Sequence, residues 1–297
     1  MRALSRVTVL ALALGLLGSA HALAQGRGGG ASTRRPPRAP SQNAGTAGRT
    51  ELPVGAGLRA LGGWLDDADV LAPGTAGLGL SFGRWTSLDG GETDAPVLDV
   101  TVGVAARVQL SVSLPYYRAS YADGFSANGL GDTYIVSKVQ VVDASEHRLG
   151  LAVSPMLEIL SGAAVSDTTL GLSRVNWALP VSIQGGQDRT RAYATAGYFS
   201  RGAVFGGGAV EQTITSRVTV AGTLSYSYST RTSAESDLLG LSRSRTDATG
   251  AVSLQAGHGV TIFAGAGRTV SKKDQNGAKL IASAGLSVLI ARRAARP

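Results

Sequence analysis

The chain has no cysteine, little charge and, past its first residues, no long apolar run. Each absence removes a class of protein. Without cysteine there is no disulfide, no Cys-ligated zinc and no lipoprotein anchor. Charged residues make up 16% of the 297 positions, against about 25% in an average soluble domain. No apolar stretch after the first residues approaches the roughly twenty needed for a membrane helix. The mature chain therefore spans a membrane as a barrel or not at all. Histidine is scarce too: beyond residue 24 only His147 and His258 remain, both in predicted turns. A Ser-His-Asp device needs a positioned histidine beside an exposed serine, and no Gly-rich phosphate loop links a strand to a helix. The segment Asp89-Gly-Gly-Glu-Thr-Asp94 has carboxylates without the spacing of a calcium loop. The sequence thus reads as no enzyme, with no cofactor and no metal site.

The formal charge is +8, but it does not point to nucleic acid, because no basic patch is interleaved with stacking aromatics. Much of the excess lies in Arg27, Arg34, Arg35, Arg38 and Arg49, and in Arg292, Arg293 and Arg296. These read as solvated tails. Residues 1–24 have the form of a secretory signal: Arg2 and Arg6, an apolar run from Val7 to Leu17, and Ala22-Leu23-Ala24 as cleavage site. Residues 25–50 carry almost nothing to bury and read as a disordered linker. Residues 51–75 are ambiguous. Leu58, Leu61, Trp64 and Leu65 have helical spacing, while Gly55, Gly57, Gly62 and Gly63 oppose a helix. A short plug and a periplasmic lead-in both fit.

What the chain has in abundance is alternation. In 174–184, Val175, Trp177, Leu179, Val181 and Ile183 share one strand face, and Arg174, Asn176, Ala178, Pro180, Ser182 and Gln184 the other. One face is apolar and the other polar. Twelve such segments follow: 76–85, 96–105, 108–118, 130–142, 149–160, 173–184, 191–200, 203–211, 217–229, 246–256, 260–270 and 279–291. Each is near the ten residues of a tilted membrane strand. An even number of antiparallel strands after an export signal predicts an all-β, up-and-down transmembrane barrel over 76–291, with a basic tail at 292–297. Short turns should be periplasmic and longer loops (Thr86 to Ala95, Ala119 to Gly129, Ser161 to Leu172, Thr230 to Arg245) should face outward. Arg201-Gly202 is the exception, a tight turn on the outer side. Arg107, Arg148 and Arg217 each launch a strand from the inner rim. Trp85, Tyr116, Tyr117, Trp177, Tyr198, Phe199, Tyr226 and Tyr228 fall near outer strand ends, where amphipathic rings favour the interface.

Alternation also assigns the interior. Asp99, Asp132, Tyr134, Lys138, Gln140, Glu158, Arg174, Asn176 and Gln184 should line the lumen, since a charge facing lipid costs about 2–4 kcal/mol at midplane. Asp132 and Lys138 are about 20 Å apart along one strand and cannot pair directly. A charged cluster of Asp132, Lys138, Glu158 and Arg174 would either tune solute passage or serve as a structural network filling a narrow barrel. Pro115, Pro155 and Pro180 sit inside predicted strands on the lumen side. Proline cannot donate to the ladder, so bulges are expected at all three, either merely shaping the wall or letting it open laterally.

One stretch is more specific. Leu110-Ser-Val-Ser-Leu-Pro-Tyr116, then Gly129-Leu-Gly-Asp132-Thr-Tyr, then Lys138 in the same strand, resembles the outer-membrane transporters named for the MetA pathway of phenol degradation. The resemblance covers about a fifth of the chain sharply. It implies an outer-membrane barrel passing small organic solutes, hydrophobic or aromatic ones among them. The expected surroundings are outer-membrane lipid and lipopolysaccharide, with the barrel-assembly machinery as a partner in insertion. Against barrel practice, the last strand runs from Leu286-Ser-Val-Leu-Ile290 into Ala291 and basic residues rather than ending on an aromatic. Two other functions remain open: a non-conducting barrel that displays loops or stabilises the envelope, and a lipid enzyme, which the missing histidine constellation disfavours.

Overall fold

A computed structural model describes residues 65–88, 90–121, 124, 126–144, 148–161, 174–187, 189–230, 242–271 and 277–291. The predicted signal 1–24, linker 25–50, residues 51–64 and tail 292–297 lie outside this range. Fourteen strand segments are present: β1 (Thr75–Thr86), β2 (Gly90–Ala105), β3 (Val108–Tyr121), β4 (Ser126–Leu130), β5 (Thr133–Val142), β6 (Leu149–Val153), β7 (Met156–Ile159), β8 (Val175–Gln187), β9 (Thr190–Phe199), β10 (Ala203–Thr213), β11 (Val218–Ser229), β12 (Ser244–Gly257), β13 (Val260–Thr269) and β14 (Leu280–Ala291). β4 with β5, and β6 with β7, are the halves of two broken strands. The result is a closed antiparallel barrel of 12 strands, as the alternation predicts.

Closure is made by β1 against β14, in continuous register from Thr75↔Ala291 to Thr86↔Leu280. Closing the sheet leaves no edge, so the ladder supplies backbone partners all round the wall. The alternation then decides which side is which. Val175, Trp177 and Leu179 are 51%, 50% and 44% exposed on the outer surface. Between them Asn176 and Ala178 turn inward and are buried, as is Ser182 further along the same face. Both ends of the barrel chain, Thr75 and Ala291, lie at one rim, here called proximal. The connections there are short, as at 106–107 and 258–259, while Ile159, Ser229 and Thr269 end their strands at the distal rim.

Two predicted loops are largely strand. β2 begins at Gly90, and β3 and β4 extend to Tyr121 and from Ser126. Their Gly, Ser and acidic residues have loop composition, but pairs such as Trp85↔Glu92 and Glu92↔Ala119 satisfy the backbone and point the acid inward. The tight turn at Arg201-Gly202 stands, with Gly202 at φ 86° and β9 paired to β10 throughout. The distal aromatics split by parity. Trp177, Tyr198, Tyr226 and Tyr228 face outward, Trp177 and Tyr198 with ring centroids 5.8 Å apart. Tyr117 and Phe199 are buried inside.

The prolines interrupt one connected patch of wall. In an antiparallel ladder a residue's N–H and C=O point to the same neighbour, so each proline carbonyl shows where its missing donor faces. Pro115 accepts from Gly131 N at 2.7 Å, Pro155 from Ser137 N at 2.9 Å, and Pro180 from Ser154 N at 2.9 Å. Opposite Pro115 the pairing shifts between Tyr116↔Leu130 and Ser113↔Tyr134, one extra residue at Gly131-Asp132. Two expectations are corrected. Pro155 faces outward and is exposed. It breaks β6 from β7 without shifting register, because Val153↔Val181 and Met156↔Ala178 keep one frame. Pro180 makes no bulge with β9, where Leu179↔Tyr198 runs straight on to Val181↔Ala196. Its missing donor points instead at the Ser154–Pro155 gap.

Candidate functional site

The barrel is not empty. Before β1 the chain turns back into the lumen at the proximal rim, where Gly74 N donates to Gly103 O at 2.9 Å. From there Leu71 N donates to Gln109 Oε1 (2.9 Å) and Ala68 N to Gln184 Oε1 (3.0 Å). Asp66 is held at both backbone groups by Thr195 Oγ1, at 3.0 and 2.7 Å. Lumen-facing side chains stand between this segment and the wall's backbone. Side-chain amides and a hydroxyl therefore take the place of a ladder. Leu65, Ala68, Val70 and Leu71 are buried, Leu65 against Tyr193 and Ala209. Two wall glycines make the approach close. A Cβ on Gly103 would collide with the Ala72 carbonyl, and one on Gly207 would sit 2.8 Å from Leu65 Cδ2.

Charge fixes the segment further. Lys138, 1% exposed, places Nζ 2.7 Å from Asp66 Oδ2 and 3.2 Å from Asp67 Oδ1, and donates to Asp69 O at 3.1 Å. Arg191 reaches Asp67 at 2.9 Å, Asp69 at 3.2 Å and Glu211 at 3.0 Å. Gln184 Nε2 bonds Asp69 Oδ1. Buried carboxylates demand partners of this kind, since an unpaired buried charge is costly.

A second cluster lies toward the distal rim. Glu158, fully buried, accepts from Arg201 (2.6 Å), Tyr134 Oη (2.9 Å) and Asn176 Nδ2 (3.1 Å). The Arg201 guanidinium lies 4.7 Å from the Phe199 ring centroid. Phe199 packs with Phe205, Ala178 and Met156 into an apolar patch on the lumen wall. Asp132 Oδ1 accepts from Ser161 N at 2.9 Å.

Of the residues expected in the lumen, Asp99, Asp132, Tyr134, Lys138, Gln140, Glu158, Asn176 and Gln184 are buried inside the barrel. The four-membered charge cluster is not formed. Lys138 serves the aspartates of the inner segment, Glu158 takes Arg201, and Arg174 is exposed beside the first residue of β8. The reason is reach: Glu158 is toward the distal end of its strand and Lys138 toward the proximal end of β5. Asp99 lies opposite Ser113, its register partner, with both side chains buried. Sequence reasoning missed Asp66, Asp67, Asp69, Arg191, Arg201 and Glu211. The Asp-rich run beside the first strand, set against a buried lysine, was the available signal for the first three.

The other half of the lumen wall differs. β11 to β14 and β1 turn mainly small residues inward, among them Thr223, Thr249, Ser253, Ser283 and Ser81, together with Phe263 and the Arg245–Asp247 ion pair. None of the inner segment's hydrogen bonds or ion pairs given above reaches these strands. The inner segment is therefore braced to one side of the lumen.

No family model and no curated protein matches the chain. Among solved structures, an outer membrane channel from Pseudomonas putida F1 shares the fold with TM-score 0.55 and 12% identity, covering 76% of this chain and 100% of that one. The NanC porin (TM-score 0.51) and the KdgM porin (0.50) are each 11% identical, over 71% of this chain and 98% of theirs. At such identity the likeness is one of fold.

Proposed function

We propose that this chain is an outer-membrane channel for small organic solutes, hydrophobic or aromatic ones among them, with residues 65–74 acting as its plug. The proximal rim is then periplasmic and the distal rim faces outward. The observation that carries the solute class is the apolar cluster of Met156, Ala178, Phe199 and Phe205 on the inner wall, beyond the end of the plug. The resemblance to the MetA-pathway transporters supports the same reading. Its two motifs meet in space, Tyr116 pairing with Leu130 and Pro115 bonding Gly131. Its lysine, Lys138, is the one that grips the plug.

The non-conducting reading is favoured by one specific observation, the braced segment filling the proximal lumen. The test is reconstitution of the exported chain in planar bilayers and liposomes, wild type beside Lys138→Met. Channel function requires small, steady conductance or uptake of an aromatic probe in wild type, rising in the variant. If both proteins insert and neither conducts nor takes up the probe, the structural reading replaces it.

A further inference from the structure

The outward surface near the distal rim carries cations in a regular arrangement. On β1 the outward file reads Leu78, Leu80, Phe82 and then Arg84. On β3 it reads Leu110, Val112, Leu114, Tyr116 and then Arg118. On β13 it reads Ile262, Ala264, Ala266 and then Arg268. On β1 and β3 the arginine ends the apolar file, where a lipid-facing wall meets headgroups; on β13 exposed Val270 follows Arg268 just past the strand. Lys279, exposed, sits just before β14, between β13 and β1 in the sheet.

The register gathers these residues. Arg84 pairs with Thr93, Thr93 with Arg118, and Arg118 with Asn128, one lateral row over β1 to β4. Strands lie about 4.8 Å apart, so Arg84 and Arg118 stand about 10 Å from each other. Each is propped rather than neutralised. Arg84 donates to Thr93 Oγ1 at 2.5 Å. Arg118 lies 6.0 Å from the Tyr116 ring centroid, and Tyr116 Oη donates to Asn128 Oδ1. Among the described residues no carboxylate pairs with Arg84, Arg118, Arg268 or Lys279. The described strand acids, Glu92, Asp94, Asp99, Glu158, Glu211 and Asp247, all turn to the lumen.

We infer that β13, β14 and β1 to β3 form a docking surface for the phosphates of a lipid A-type glycolipid, with Arg84 and Arg118 as its centre. The inference rests on the outer-membrane reading above, which puts this rim in the outer leaflet. Charge complementarity selects the occupant. An arginine fork binds phosphate through paired N–H donors, and basic surfaces at a membrane interface bind anionic headgroups. The adjoining apolar files of leucine, valine and phenylalanine match the acyl chains of the same molecule. A soluble anion would have no use for that continuity.

The test uses the full exported chain in detergent micelles and in vesicles. Native mass spectrometry and thermal unfolding are read with purified bisphosphorylated lipid A, dephosphorylated lipid A and phosphatidylglycerol as probes. Wild type should bind bisphosphorylated lipid A at least tenfold tighter than either other lipid. Arg84→Gln/Arg118→Gln should lose at least fivefold of that affinity, and Arg107→Gln at the opposite rim should lose none. Equal binding of all three lipids, or a double variant with wild-type affinity, overturns the docking surface. A chain that enters no bilayer at all overturns instead the outer-membrane reading beneath it. The arginines are on the surface, so heat-modifiable gel mobility should report an intact barrel in every variant.

Discussion

Replacing Lys138 with methionine should release the inner segment while leaving the barrel standing. The ammonium contacts Asp66 at 2.7 Å, Asp67 at 3.2 Å and the Asp69 carbonyl at 3.1 Å, and Asp67 is fully buried. Removing one partner of a buried ion pair costs about 3–5 kcal/mol. Arg191 stays on Asp67 at 2.9 Å, so the lower end applies, about 3 kcal/mol. At 1.4 kcal/mol per tenfold, the ratio of docked to undocked segment falls roughly 150-fold. The strands lose no ladder bond, because Lys138 acts through its side chain. Two assays read this. Single-channel conductance should rise, and protease added from the periplasmic side should begin to cut within 65–74. Adding Asp66→Asn to Lys138→Met should recover part of the protection, since one stranded charge is removed. An intact Lys138→Met barrel with wild-type conductance and wild-type protease protection would refute the electrostatic latch.

Gly103→Val should displace the same segment by sterics alone, because its Cβ would meet the carbonyls of Ala72 and Leu71; cleavage near residue 72 should appear while Gly222→Ala, at an open position, stays protected. Leu179→Arg puts a charge on the lipid face and should lower folding stability in vesicles by about 2–4 kcal/mol; a loss under 1 kcal/mol would mean that this face does not meet lipid. Arg201→Met strands Glu158, which is fully buried, and should destabilise the barrel by about 3 kcal/mol. Adding Glu158→Gln should return most of it in urea refolding, and a double variant no better than the single would show that the pair is not what holds this cluster.

The barrel was legible because its signal is local. A period of two over ten residues sets inside from outside without knowledge of any partner strand. Val175, Trp177 and Leu179 read as outward from six or seven residues of context, and they are. The prolines show where local reading stops. A missing N–H is a local fact, whereas whether the sheet answers with a shifted register, as opposite Pro115, or a plain gap, as beside Pro155, depends on neighbours. Arg174 and Arg201 show the limit. Both lie near the distal rim, and only the order β7, β8, β9 around the wall brings Arg201, not Arg174, to Glu158.

By itself the sequence determined the closed sheet, the faces of its strands and the polar character of its interior, because side-chain alternation and the cost of charge in hydrocarbon act residue by residue. The tertiary structure alone decided what fills that interior. Ala68 meets Gln184 across 116 residues and Asp66 meets Thr195 across 129. Contacts so distant leave no periodic trace in the chain, and they exist only once the wall has closed and placed Lys138, Gln184 and Arg191 around a single axis.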